Sequence, residues 1–273
     1  MRAVVRIGVA GLVATSVLSC KQDQRTSPDL TMIDNSADDA RTILQRYVDA
    51  WRGEQEMVLN DTVVLGFDIS GDDGGNYHVV LSPAGSASLG AGIPETGYNV
   101  VLTTEMDFLR QLDRGELNAM TAIGRARMSD PTPLDFRFPP DFPPTAEAQG
   151  FLLRLHFHFW NREWPEIIPF GDGMARQIHG GKSAIFYYEQ GLRSGWYQVE
   201  PGMHINENEE EQTNPFPSLI IVTRGRFQAR LEGIEKELTE GFAVLVPAGM
   251  THEFWAEEGQ YGEFILVMFG PGA

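Results

Sequence analysis

Residues 241–256 read GFAVLVPAGMTHEFWA, and this stretch indicates the type of fold in the C-terminal part of the chain. A short apolar run ends in a turn signal at Pro247 and Gly249, and His252 begins the next apolar run. Apolar runs separated by Pro-Gly turns are typical of neighbouring β-strands. An imidazole directly after such a turn either packs as a satisfied polar group or faces a binding site. Which of these two roles His252 has depends on the residues that the rest of the chain places around its ring.

The C-terminal part of the chain consists of short apolar runs separated by glycine turns. Seven such runs follow Ala184 at a spacing of roughly ten residues, with no helical period between them. This series predicts an all-β barrel or sandwich. The spacing G-x5-P-x-G-x2-H over 241–252 is similar to the second sequence motif of cupins, with Ala256 in place of the final asparagine. The resemblance covers about residues 182–268 and implies a jelly-roll barrel, expected over 170–273.

The first cupin motif is only partly present in VEPGMHIN. His204 matches its first histidine, but Asn206 stands at the second. Spacing from His204 selects Glu210 or Glu211 as the motif glutamate, whereas counting back from Gly225 selects Ser218. We therefore infer an insertion rich in Glu, Asn and Pro within this loop.

The cupin resemblance implies a divalent metal held by imidazoles and one carboxylate. Here His204, His252 and either Glu210 or Glu211 would form a two-histidine, one-carboxylate set suited to Fe(II) or Mn(II). The amide of Asn206 is a poor ligand for these ions. Alternatively, the histidines line the barrel mouth as hydrogen-bonding groups for a ligand, or pack as satisfied polar residues. We expect a degraded metal site in a barrel kept for ligand binding or domain packing.

Residues 38–130 predict an α+β domain. The apolar positions of DDARTILQRYVDAWRG follow a helical period, and four strand-like runs come next,. The first two of these runs are joined by the turn signal GDDGG,. After them the period changes to two short helices around 113–116. This order predicts an antiparallel sheet with helices covering one face.

The segment YNVVLTTEMDFLRQLDRGELNAMTAIGRARMSD resembles the sterol-carrier-protein type of lipid-binding domain. The family implies an apolar tunnel that accepts a fatty acyl chain, a sterol or a similar amphiphile. The same residues would also fill an ordinary core. The residues expected to line the tunnel are Phe108, Leu112, Met120, Ile123 and Met128.

Residues 131–169 are interpreted as a proline- and aromatic-rich linker. Six prolines fall within 131–144, which predicts a connector without regular structure,. In the following HFHFW segment, His156 and His158 would lie on one side of a strand,. They would form either a metal pair or two polar positions of a half-buried strand.

The N-terminus reads MRAVVRIGVAGLVATSVLSCKQ and predicts a secretion signal over residues 1–19,. The end of its apolar run resembles a bacterial lipobox, which implies that Cys20 is acylated with palmitate or a similar chain. Cleavage near Ser16 or Ser19 without acylation is the alternative. Residues 20–37 are a predicted tether. Lys21 favours the outer membrane or the periplasmic side of the cell envelope over the inner membrane.

The formal net charge of −17 argues against nucleic acid and against broad adhesion to anionic lipid headgroups,. Three hypotheses for function remain. The first is a membrane-anchored lipoprotein that binds an apolar or amphiphilic small molecule. The second is a metal-dependent cupin oxygenase or isomerase. The third is a non-catalytic scaffold, in which the cupin barrel forms a homodimer.

Overall fold

The fold is described from a computed structural model, which covers residues 34, 36–53, 57–127, 129–140, 142, 145–163 and 166–273. The predicted signal segment, the acylation site Cys20 and Met128 of the predicted lipid tunnel lie outside these residues.

The first helix, α1 (Ala40–Ala50), forms where its apolar period predicts. Asp39 caps its N-terminus, since the carboxylate accepts a 2.8 Å hydrogen bond from the backbone N–H of Thr42,. One face of α1 is buried in the core, through Ala40, Ile43, Leu44, Tyr47 and Val48.

A five-stranded sheet packs against this helix. Its strands are β1 (Val63–Ser70), β2 (Gly75–Leu81), β3 (Ala87–Ala91), β4 (Val100–Glu105) and β5 (Leu134–Arg137). Their spatial order is β3-β2-β1-β4-β5, and only the β1–β4 pair is parallel. The prediction of a purely antiparallel sheet is therefore wrong at this pair, because the chain crosses back from β3 to the free edge of β1.

Two helices, α2 (Met106–Arg114) and α3 (Ala119–Ile123), follow β4 as the change of period predicts. Gly115 ends α2 in the left-handed conformation with φ of 71°, which favours glycine,. Of the residues predicted to line a tunnel, three are buried in the continuous core and Phe108 is partly buried against it. The three buried residues are Leu112, Met120 and Ile123.

Residues 131–149 contain more regular structure than their prolines predict. β5 pairs with β4 at the edge of the sheet, and its four residues fall between Pro133 and Pro139. Prolines are tolerated beside an edge strand because no ladder hydrogen bond is lost there. The prediction of an irregular connector over this range is therefore wrong.

The HFHFW segment belongs to a helix, α4 (Ala146–Phe159), and not to the predicted strand. Residues two apart on a helix are separated by about 200°, so His156 and His158 point in different directions. His156 is buried between α3 and the end of α4: its Nε2 lies 3.0 Å from the carbonyl oxygen of Ala119, and its Nδ1 accepts a 3.1 Å hydrogen bond from Trp160. His158 contacts Glu166. The helix therefore contradicts both interpretations of these histidines, the metal pair and the polar positions of a half-buried strand.

A second, nine-stranded sheet follows. Its strands are β6 (Arg176–Ile178), β7 (Gly181–Glu189), β8 (Leu192–Val199), β9 (His204–Ile205), β10 (Ser218–Leu231), β11 (Ile234–Thr239), β12 (Ala243–Val246), β13 (His252–Trp255) and β14 (Tyr261–Phe269). The order is β6-β7-β8-β14-β10-β13-β9, and β11 and β12 also pair with β10. Residues 218–221 of β10 lie between β12 and β14, whereas residues 228–231 lie between β11 and β13. One long strand is thus shared by two sets of neighbours, which curls the sheet into a barrel.

Polar contacts join α3 to the edge of the barrel. The backbone N–H of Ile185 donates a 2.8 Å hydrogen bond to Thr121 Oγ1. Arg176 donates to the carbonyl oxygens of Thr121 at 2.7 Å and of Gly124 at 3.0 Å, where α3 ends,. These bonds place the loop after α3, which carries Arg127, beside the barrel.

Candidate functional site

The barrel encloses a cavity of about 70 Å³, which is room for several water molecules,. Its lining contains seven apolar and six polar residues, and the part around Glu211 and His179 is called its polar end. The apolar residues are Tyr197, Ile205, Ile220, Phe254, Phe264, Leu266 and Met268. The polar residues are His179, Asn206, Glu211, Asn214, Ser218 and His252.

His252 reaches the cavity because of the turn that precedes it. Pro247 and Met250 close this turn through a 3.2 Å backbone hydrogen bond, and Gly249 within it has φ of 78°. The turn ends where β13 begins, so alternation along the strand directs His252 and Phe254 inward,. His252 is only 5% exposed. His252 therefore faces a cavity and is not packed in the core.

The hydrogen bonds of His252 define which nitrogen carries its proton. Nδ1 lies 3.0 Å from the carbonyl oxygen of Met250, which can only accept, so Nδ1 is the donor,. Nε2 lies 3.3 Å from the amide nitrogen of Asn214 and therefore accepts. Burial lowers the pKa of His252, with the bond to Met250 opposing the shift, so the ring is neutral near pH 7,.

His204, the other predicted metal ligand, lies outside the cavity. It is paired with Trp255 in the β9–β13 register, and Trp255 points away from the face that carries His252 and Phe254,. His204 Nε2 is 2.7 Å from Glu253 Oε2, and its ring centroid is 5.5 Å from that of Trp255. The expectation that His204 and His252 converge is therefore wrong, because strand alternation places them on opposite faces.

The inserted loop supplies polar groups to the cavity. The backbone N–H of His252 donates to the carbonyl oxygen of Gln212 at 2.9 Å, and that of Gly249 donates to the carbonyl oxygen of Asn214 at 2.8 Å. These bonds hold Glu211 and Asn214 in the lining, whereas Glu210 is exposed and does not contribute to it. Of the two glutamates left open by the motif spacing, the structure places Glu211 in the cavity.

Glu211 connects the barrel to the first part of the chain. Its Oε1 accepts a 2.9 Å hydrogen bond from Nε of Arg127. Its Oε2 lies 3.9 Å from Nδ1 of His179, too far for a hydrogen bond,. The polar end of the cavity therefore lies close to the contact with the loop after α3.

His179 also lines the cavity, and the sequence did not predict it as a site residue. It belongs to the β6–β7 hairpin and has φ of 53°, so the backbone is left-handed at this position. Its Nδ1 is buried and has no hydrogen-bond partner among the described residues. Burial lowers the pKa of His179 against the opposing charges of Glu211 and Asp130. The only sequence signal was the His-Gly-Gly turn before β7, which carries no cupin motif.

Ser218 and Asn206 complete the polar lining. Ser218 is 2% exposed, and its Oγ has no hydrogen-bond partner among the described residues. It occupies the position that counting back from Gly225 assigns to the motif glutamate. Asn206 donates a 3.5 Å hydrogen bond to the carbonyl oxygen of His252, so its amide braces the strand that carries the imidazole.

The metal that the cupin resemblance implies does not fit these residues. His204 faces away, an amide replaces the second motif histidine, and the carboxylate of Glu211 is already bound by Arg127. Across the part of the chain that the structure describes, no three His, Cys, Asp or Glu side chains are grouped closely enough to hold a metal ion. The predicted set of His204, His252 and Glu210 or Glu211 is therefore not assembled.

The first sheet and its helices enclose far less space. The cavity between the sheet and α4 measures about 10 Å³, which is room for about one water molecule,. Phe159 fills this region, with its ring centroid 5.7 Å from that of Phe67 and 6.0 Å from that of Tyr47. Within the described ranges, no helix has both the length and the apolar character needed to span a bilayer.

No family model and no curated protein matches the chain. Among solved structures, a Cupin 2 conserved barrel protein from Salinispora arenicola is 17% identical, with 38% of this chain and 88% of that chain covered and a TM-score of 0.34. An RmlC-like cupin from Shewanella frigidimarina is 19% identical over 37% of this chain and 88% of that one, with a TM-score of 0.31. KdgF from a Halomonas species is 19% identical over 36% and 87%, also with a TM-score of 0.31.

Likeness at this level carries no argument about ligand or reaction. The description of the barrel therefore rests on its strand pairing and on the second sequence motif. The C-terminal part of the chain is a β barrel whose 241–252 motif is similar to the second motif of cupins.

Proposed function

We propose that the protein binds a small amphiphilic molecule in its barrel cavity and holds it at the cell envelope. The observation that carries this proposal is the mixed lining of the cavity. Apolar side chains stand beside Ser218 and His179, each of which has a buried polar atom without a hydrogen-bond partner among the described residues. A buried polar group without a partner costs about 1–3 kcal/mol, which a bound ligand can recover.

The barrel is a better ligand site than the first sheet. Its cavity of about 70 Å³ is lined by six polar residues beside its apolar ones, whereas the space beside α4 is about 10 Å³ and is lined by apolar residues and His156. Four of the five residues expected to line a lipid tunnel belong to the core or pack against it, so we place the ligand in the barrel.

This geometry does not support a metal-dependent oxygenase or isomerase. His204 on β9 and His252 on β13 point to opposite faces of the sheet that these two strands share. Binding without a metal requires only the hydrogen-bonding groups and apolar walls that are present.

Native mass spectrometry of the full chain, extracted in a mild detergent, tests the proposal. Leu266 faces the cavity and Val267 faces away, so Leu266→Trp fills the cavity while Val267→Trp adds the same ring outside it. We expect a retained small molecule in the wild type and in Val267→Trp, and its loss in Leu266→Trp. Retention in all three proteins, or in none, would contradict the proposal.

The envelope location rests on the resemblance of the N-terminus to a lipobox. We propose that acylation of Cys20 anchors the chain, with the tether separating the folded part from the membrane. Metabolic labelling with a palmitate analogue should label the wild type, while Cys20→Ser should remain unlabelled and appear in the soluble fraction. Equal labelling of both proteins would refute acylation at this position.

A further inference from the structure

The polar residues of the barrel cavity include one carboxylate, that of Glu211. Its Oε2 faces His179 Nδ1 at 3.9 Å, which is beyond hydrogen-bond length,. Asn206 and Asn214 each donate one amide N–H to His252, to its carbonyl oxygen and to its Nε2 respectively. Ser218 Oγ and His179 Nδ1 also lack partners among the described residues.

The distance between Glu211 and His179 leaves room for one bridging atom. Glu211 Oε2 and His179 Nδ1 are 3.9 Å apart. An oxygen or nitrogen at a typical hydrogen-bond length of about 2.8 Å from each would subtend an angle of about 90°. A hydroxyl can donate to the carboxylate and accept from the imidazole, and an ammonium group can donate to both.

The charge of the lining excludes anions. Among the described residues that line the cavity there is no Lys or Arg, and the carboxylate of Glu211 faces the polar end. Arg127, the cation beside it, already binds Glu211 Oε1 at 2.9 Å. A carboxylate or phosphate placed here would meet a like charge without a compensating cation.

We propose that the ligand enters with a hydrogen-bond donor, as an alcohol or a primary amine on a small apolar body, and that its oxygen or nitrogen bridges Glu211 and His179. This inference rests on the proposed binding function and specifies its ligand class. The apolar body lies against apolar residues of the lining such as Phe254 and Leu266.

Four probes with one carbon skeleton test this inference on the full chain: benzyl alcohol, benzylamine, benzoate and toluene. They differ only in the polar group, so their affinities measured by titration NMR isolate its contribution. We expect benzyl alcohol and benzylamine to bind at least tenfold more tightly than benzoate and toluene.

Two variants test whether the preference among the probes depends on the carboxylate of Glu211. In Glu211→Gln the carboxylate becomes an amide of nearly the same size, so the preference for benzylamine over benzoate should fall at least tenfold. In Arg127→Gln the carboxylate stays and loses its cation, so the same preference should persist or increase. This second variant retains the test if Glu211→Gln does not fold.

The outcomes separate this inference from the proposed function. If benzoate or toluene binds as tightly as benzyl alcohol, the cavity binds ligands but donor recognition is refuted. Binding that requires added Fe(II) or Mn(II) would refute it as well. If none of the four probes binds, both the inference and the proposed function fail.

Discussion

The side-chain amide of Asn214 lies 3.3 Å from Nε2 of His252, and this contact joins the inserted loop to the strand that follows the Pro247–Met250 turn. Because Met250 engages the other nitrogen, the ring presents an acceptor to Asn214 in a single tautomer,. His252, which the cupin resemblance assigns to metal binding, thus has its Nε2 occupied by the side-chain amide of Asn214.

The full chain purified without chelator should contain no stoichiometric iron or manganese, because the predicted ligands do not converge. We also expect its Tm to be unchanged by EDTA. Elemental analysis of the wild type beside His252→Ala measures the metal content, and thermal denaturation with and without EDTA measures the Tm. One equivalent of metal in the wild type that is lost in the variant would restore the metal-site hypothesis.

Ser218→Ala should raise the free energy of unfolding by about 1 kcal/mol in the absence of ligand, because it removes a buried hydroxyl that has no partner,. The matched control is Ser183→Ala. Ser183 is also fully buried, but its Oγ lies 3.5 Å from the carbonyl oxygen of Ile178. Urea denaturation of both variants is the measurement, and we expect opposite signs. Destabilisation by Ser218→Ala would mean that the hydroxyl is satisfied in the free protein.

Asp113 holds α1, α2 and the end of α4 together. Its carboxylate is 0% exposed, binds Arg46, and accepts a 2.7 Å hydrogen bond from Arg162. Asp113→Asn removes the carboxylate that pairs with Arg162 and leaves Arg46 only its second partner Asp38, so we expect a loss of about 3 kcal/mol,. Asp107→Asn on the same helix is the control, since Asp107 is 86% exposed and 3.8 Å from Arg110. Its cost should stay below about 0.5 kcal/mol.

The stability of the protein should fall with acidification through His156. Burial lowers the pKa of His156 to about 4, against the bond to Ala119. The unfolded chain takes up a proton near pH 6.5, whereas the folded chain resists it until about pH 4,. Folding is therefore unaffected by this group above pH 6.5 and is progressively destabilised between 6.5 and 4, by an amount of order 3 kcal/mol,.

Comparison with His156→Gln separates this effect from the carboxylates that titrate in the same range. The difference in unfolding free energy between wild type and variant, measured by urea titration at several pH values, should change between pH 6.5 and 4. A constant difference would show that His156 is not buried as a neutral ring.

The outer face of β10 and β12 exposes apolar side chains, and we propose that a second copy of the chain covers it. Leu219 is paired with Leu245 and Ile221 with Ala243, so two strands form one patch. Leu245 is 55% and Ile221 37% exposed. A two-fold axis would bury the same patch on both copies. Leu245→Arg should therefore sediment as a monomer, while the wild type sediments as a dimer.

Ile234→Arg is the control for this prediction, because Ile234 is also exposed, at 59%, but lies in the β10–β11 hairpin. A monomeric wild type would contradict the proposed dimer.

The local patterns of the sequence predict α1, α2 and α3, and the barrel strands β7, β8, β12, β13 and β14. Each depends on interactions between residues close in the chain: a helical stripe, a capping group such as Asp39, or a turn such as the one before His252. Two predicted runs, 218–225 and 226–233, form the single strand β10, and the short strands β6, β9 and β11 were not predicted.

The remaining elements were decided by partners far away in the chain. HFHFW forms a helix because Phe159 and His156 find buried places against Phe67 and Ala119, which no local pattern specifies. The cavity likewise depends on long-range contacts, since His179, Glu211 and Ser218 come from a hairpin, an inserted loop and a distant strand. Local preferences in the sequence predict most of the segments that become strands and the turns between them. The outward direction of His204 and the inward direction of His179 emerge only in the folded chain, because they depend on pairing between strands and not on residue type.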